Sequence, residues 1–179
     1  GWAAASAHTF LSLSVVATLG LQVDFRSSGA PGCLNCGMKL VRSADGTPIA
    51  CGTVGTGPVV VVVNGAMSTA SDARGIADAL AGQGFTGVVY DRRARGESGD
   101  TRPYVPEREV EDLAAVIEAA GGRAAVLGHS SGAIVALFAA SRGVSIEHLF
   151  LSEPPFRFGM GEPDPTLPER LQQLVDDGH

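Results

Sequence analysis

Gly128-His129-Ser130-Ser131-Gly132 places a hydroxyl at the centre of a glycine-framed pentapeptide. The apolar run Ala124 to Leu127 precedes it, and a second, Ala133 to Phe138, follows. The stretch reads as strand, sharp turn and helix, with Ser130 at the apex. A turn that tight brings backbone against backbone, so the positions two before and two after the serine must be very small. Both are glycine. G-x-S-x-G in that setting presents a serine oxygen for nucleophilic attack. The competing reading, a serine that merely caps a helix N-terminus, leaves the two matched glycines unexplained.

A serine nucleophile needs a base to take its proton, and the histidines are His8, His129, His148 and His179. His129 adjoins Ser130 on the turn and cannot fold back onto it with the geometry of a catalytic base; it is expected to line or support the site. His148 alternates with apolar neighbours and reads as structural. His8 lies in a segment unlike the rest, and His179 is the last residue. Glu153, just after a strand, is a candidate acid or an ordinary loop carboxylate. The stretch Asp91 to Gly99 carries Arg92, Arg93 and Arg95, which could suggest anion binding, but Asp91 and Glu97 offset them. Cys33 and Cys36 form a C-x-x-C with no second pair to complete a four-ligand zinc site, and Cys51 stands apart. No metal or cofactor is expected.

The elements that must hold these groups read as repeating βα units. Residues 39–43 and 47–54 flank Ala44-Asp45-Gly46, a strong hairpin signal. Val59 to Val63 is five valines without alternation, so both faces of that strand must be covered, as in a parallel sheet between helices. A helix is expected over Ser71 to Ala81, with Ile76 and Leu80 on one face, then a strand over Thr86 to Tyr90. A second helix is expected over Pro106 to Ala120, with Val110, Leu113, Ala114 and Ile117 as its buried stripe. The elbow strand follows. The helix from Ser131 to about Ser141 is so apolar, above all over 133–139, that burial on several sides is expected. Ile146 to Leu151 is one more strand. The fold class is α/β: a mainly parallel sheet with helices on both faces and an antiparallel N-terminal hairpin.

Bulk properties agree. The 179 residues suffice for one domain with a sizeable core. The net charge of -6 gives a nucleic-acid partner no electrostatic support. Residues 1–37 look unlike the rest and are expected to be a poorly structured extension, with Met38 as the start of the domain. The mildly apolar Phe10 to Leu21 is too short to span a bilayer. It has no Lys or Arg before it, so an export signal is the lesser reading. The expected location is cytoplasmic, with no membrane partner; the oligomeric state is not legible.

From about Lys39 to Phe158 the chain resembles the N-terminal half of an α/β-hydrolase-fold serine hydrolase. The matching features are Val-Val-Val-Asn64-Gly65-Ala66 after the third strand, Asp91-Arg-Arg-Ala-Arg-Gly-Glu-Ser98 after the fourth, and Gly-His-Ser130-Ser-Gly after the fifth. Ser152-Glu153-Pro154-Pro155 resembles the entry to a helical cap in small bacterial members. Asn64 stands where the family usually has histidine, and Ala94 where such loops often have glycine; neither change disables the chemistry. The resemblance implies residues 38–158 as the first part of the core and 159–179 as the start of the cap. It implies Ser130 as nucleophile, and an oxyanion hole built from the backbone N–H groups of Ser131 and Ala66, with Met67 as the fallback. It implies a small-molecule ester or related acyl substrate, handled through an acyl-enzyme without a cofactor. In this fold the triad runs Ser, then Asp or Glu, then His, so the acid and the histidine are expected beyond residue 179. The alternative is a truncated, catalytically incompetent fragment or a fold-only binding module.

Overall fold

The computed structural model describes residues 38–156 together with Thr166, Arg170, Gln172, Gln173 and Asp176. The expectations for residues 1–37, including His8, Cys33 and Cys36, and for His179 lie outside the described residues.

Strands β1 (Lys39–Arg42) and β2 (Pro48–Val54) form the expected antiparallel hairpin. Its turn is closed by Ser43 N–H donating to Thr47 O at 2.9 Å. Strands β3 (Val59–Val63), β4 (Thr86–Tyr90), β5 (Ala124–His129) and β6 (Ile146–Ser152) complete a sheet of order β1-β2-β4-β3-β5-β6. Strand β2 meets β4 antiparallel, and the β4-β3, β3-β5 and β5-β6 pairs are parallel.

The valine run of β3 shows why the sheet needs two covers. Val61 and Val63 pack with Leu113, Val116, Ile117, Ala136 and Ala139, from helices α2 (Pro106–Ala119) and α3 (Ser131–Ser141). Val60 and Val62 point the other way, onto Ala73, Ala77 and Leu80 beside and within helix α1 (Arg74–Gly82). Successive side chains of a strand face opposite sides, so an unbroken valine run buries on both only when helices lie on both. Helices on both faces are therefore observed.

Four local expectations change. Helix α1 begins at Arg74, three residues late, because Asp72 Oδ2 accepts the Thr69 N–H at 2.7 Å and holds residues 70–73 in turns. Ile76 is exposed rather than buried with Leu80. The helix meets the sheet through Ala77, so close to β4 that a Cβ on Gly87 would fall 2.7 Å from Ala77 Cα; Ile76 is thereby turned outward. In α2 the inner face holds Glu109 and Asp112 beside Val110, Leu113, Val116 and Ile117. Helix α3 buries its small residues Gly132, Ala133, Ala136 and Ala139 on the sheet and leaves Ile134 and Leu137 exposed, so it is not enclosed on several sides.

Candidate active site

Strand β5 delivers Ser130 to the end of the sheet and helix α3 starts at once. Ser130 sits at φ 51°, ψ -123°, backbone that a non-glycine residue adopts at a cost. The flanking glycines make the conformation affordable. A Cβ on Gly128 would fall 2.6 Å from Ala133 Cα, and one on Gly132 would fall 2.2 Å from Val63 O. Ser130 N–H donates to Ser152 O at 2.8 Å, which ties the turn to the end of β6. The side chain makes no capping hydrogen bond to helix α3, so the helix-cap reading of this serine does not describe its hydroxyl.

The loop after β3 lies against this turn: a Cβ on Gly65 would come within 3.5 Å of Ser130 Cβ. Asn64 is buried, and its Nδ2 donates to Thr69 O at 2.7 Å, closing the loop that carries Ala66. Ala66 and Ser131 line one open pocket of about 450 Å³, together with Arg92, Arg95, Tyr104 and Glu109. Met67 is absent from that lining and is 96% exposed. Ser130 itself is not among the lining residues; its neighbour Ser131 is.

The arginine-rich loop after β4 is braced from within. Asp91 accepts N–H bonds from Ala70 at 2.7 Å and Glu97 at 2.9 Å, and Ser98 Oγ donates to Asp91 O at 2.6 Å. Arg93 is held bidentately by Asp112 at 2.7 Å per bond and by Asp45 at 3.0 Å. These contacts keep its guanidinium charged. Arg92 is held bidentately by Glu109, whose carboxyl also accepts the Tyr104 hydroxyl at 3.0 Å. Burial alone would push the Glu109 carboxyl up; the bonds and charge of Arg92 outweigh it and hold the group below the usual carboxylate range. Burial, with Glu109 beside it, pushes the Tyr104 hydroxyl up. Arg95 donates from Nε to Ala66 O at 2.7 Å.

The remaining candidates are scattered. His129 is exposed, its Nδ1 3.4 Å from Ser152 Oγ. His148 is exposed on β6. Glu153 follows β6 at φ 49° and is also exposed. Cys51 is buried, and burial pushes its thiol up, away from the reactive thiolate. Among the described residues no three His, Cys, Asp or Glu side chains gather as a metal site would require, and no helix is long and apolar enough to cross a membrane. Sequence reading missed Glu109, Tyr104 and the inward role of Arg92. A signal existed: acids three apart at 109 and 112 on a helix's inner face, matched to consecutive arginines at 92 and 93.

Comparison with known proteins bears on the whole arrangement. The sequence pattern of the Alpha/beta hydrolase family matches residues 60–178. An alpha/beta hydrolase from Sphaerobacter thermophilus is similar at 49% identity and TM-score 0.74, covering 78% of this chain and 55% of its own. An epoxide hydrolase from an endophytic Streptomyces is similar at 30% identity and TM-score 0.60, covering 64% and 36%. The Bottromycin epimerase BotH, solved with Bottromycin A2, is similar at 27% identity and TM-score 0.66, covering 78% and 56%. The chain thus spans between about a third and just over half the length of these solved relatives. No curated protein matches it.

Proposed function

The chain belongs to the alpha/beta hydrolase family, and from that premise we propose that the protein of which it forms part is a serine hydrolase of small-molecule esters or related acyl compounds. The observation that carries the reading is Ser130: a strained, glycine-framed serine at the strand-to-helix turn, its hydroxyl spared from capping. Ser130 Oγ attacks the acyl carbon as a base takes its proton. The carbonyl oxygen gains negative charge, and the N–H groups of Ala66 and Ser131 donate to it. Fixed main-chain donors stabilise that charge without reorganising. The alcohol leaves with a proton, an acyl-enzyme remains, and water releases the carboxylic acid and restores the serine. The base and its acid partner lie outside the described residues on this reading.

The Sphaerobacter relative supports hydrolysis as the reaction class. The epimerase relative argues that the scaffold alone does not decide it, so the test must report on the serine. In the full-length protein, Ser130→Ala is expected to abolish both turnover of an aryl ester and covalent labelling by a fluorophosphonate, read by intact mass. Turnover retained in Ser130→Ala would refute the assignment.

A further inference from the structure

Arg92 lines the same pocket as Ala66 and Ser131. It is 4% exposed, and every nitrogen of its guanidinium is engaged. Nε and Nη2 hold Glu109 Oε2 and Oε1 at 2.5 and 2.7 Å, which anchors one edge of the plane to helix α2. Nη1 reaches the opposite way. It donates to Asn64 O at 3.1 Å and to Ser131 Oγ at 2.8 Å. Asn64 opens the loop that bears Ala66, and Ser131 opens helix α3. One planar group therefore spans the two segments whose amides must converge on a substrate oxygen. The fork of an arginine is rigid, so its bonds keep a fixed relation to one another, which a lysine cannot reproduce. The rest of the Ala66 loop is held separately, by the Asn64 amide on Thr69 O and by Arg95 on Ala66 O. That loop also packs directly on the start of helix α3, where a Cβ on Gly132 would fall 2.4 Å from Asn64 O; Arg92 adds a hydrogen-bonded bridge between the two.

We propose that Arg92 is a positioning residue that sets the spacing of the Ala66 and Ser131 amides by holding Asn64 O and Ser131 Oγ on one guanidinium. The proposal rests on the reading of Ser130 as nucleophile with those amides as oxyanion donors. Glu109 serves it by fixing the guanidinium plane, and Tyr104 by donating to Glu109. Spacing of the amides matters most when negative charge has formed on the oxygen, so an error of alignment falls on the transition state rather than on substrate binding.

The test uses the full-length protein with an aryl ester, an arylboronic acid that forms a tetrahedral adduct on the serine, and thermal unfolding. Ser131→Ala removes the hydroxyl end of the bridge and keeps the amide. Arg92→Lys keeps the charge without the fork, and Arg92→Met removes both. Expected are kcat and boronate affinity falling together, by about 3- to 10-fold in Ser131→Ala and about 100-fold in Arg92→Met, with Arg92→Lys between and KM within about twofold. Unchanged kcat and boronate affinity in Ser131→Ala and Arg92→Lys overturn the proposal. So does a loss of kcat matched by KM and by the thermal midpoint, the mark of a merely structural role. Should Arg92→Met fail to fold, Ser131→Ala decides. Ser130→Ala separates the two claims. If it retains turnover, the nucleophile reading falls and this inference with it. If it is inactive while Ser131→Ala and Arg92→Lys match the unaltered protein, the Arg92 inference alone falls.

Discussion

Among the described residues, three non-glycine residues carry backbone in the left-handed region: Ala94 at φ 60°, Ser130 at φ 51° and Glu153 at φ 49°. Ser130 and Glu153 directly follow β5 and β6, and Ala94 lies in the loop after β4. On the proposed reading of Ser130 as nucleophile, the strain there has a chemical use, because its hydroxyl is left out of the capping role. At Ala94 no such use is evident. The residue is exposed, and its N–H closes the loop on Gly99 O at 3.0 Å. Its Cβ only adds steric cost there. Ala94→Gly is therefore expected to stabilise the fold by about 0.5–1 kcal/mol, the relief of the left-handed penalty less the entropy of an added glycine. Chemical denaturation checks this; an unchanged or lower midpoint would contradict it. Alanine in place of glycine at this position is thus a small tax on the loop that leaves its geometry intact.

Between elements, the loop after β4 and helix α2 are joined by charge rather than by hydrocarbon. Arg92 and Arg93 meet Glu109 and Asp112, all four buried, and Asp45 from the β1-β2 turn adds to Arg93. Such pairs add little net stability but cost about 3–5 kcal/mol when one partner is removed. They lock register, which a helix resting on apolar contacts alone could slip. The Glu109 and Asp45 carboxyls are both held below their ordinary values. For Glu109 and Asp45 alike, burial opposes ionisation and is outweighed, by Arg92 at the one and by Thr47 and Arg93 at the other. A carboxyl depressed in the folded state stabilises the fold above its unfolded pKa, and that contribution is lost as pH falls through the folded value. The thermal midpoint is expected to be flat from about pH 8 to 5 and to drop below about pH 4, where unfolded carboxylates begin to bind protons. Circular dichroism melts across pH check the profile. Glu109→Gln should lower the midpoint at neutral pH and make its acid slope shallower; an unaltered slope would remove Glu109 from the account.

For the molecule as a whole, the parallel sheet converges its strand ends on one pocket, lined from the loops after β3 and β4 and from the start of α3. That convergence brings Ala66, Arg92 and Ser131 together from positions far apart in the chain. The described residues supply the proposed nucleophile, Ser130, and the proposed oxyanion donors, Ala66 and Ser131. Neither described histidine, His129 or His148, is bonded to Ser130. The 179-residue chain by itself is accordingly expected to turn over a chromogenic ester no faster than its own Ser130→Ala variant. Steady-state hydrolysis by the two proteins side by side is the measurement, and robust turnover lost on substitution would overturn the expectation.

Much of this was legible without coordinates, for reasons of local physics. Glycines two residues either side of Ser130 state that backbones touch there, and five valines state that a strand is covered twice. Asp45-Gly46 states a hairpin. These signals are short-range, so order and type of elements followed from sequence alone, as did the family. Which side of a helix faces the sheet did not follow. Apolarity favours Ile76, Ile134 and Leu137, but close approach of helix to sheet favours small residues such as Ala77, Ala133 and Ala136, and the larger ones turn outward. Nor could sequence pair Arg92 with Glu109 and Ser131, because partners 17 and 39 residues away are chosen by how the loop and two helices dock. Local chemistry determined where the glycine-framed serine turn lies; the tertiary structure alone decided what packs around it.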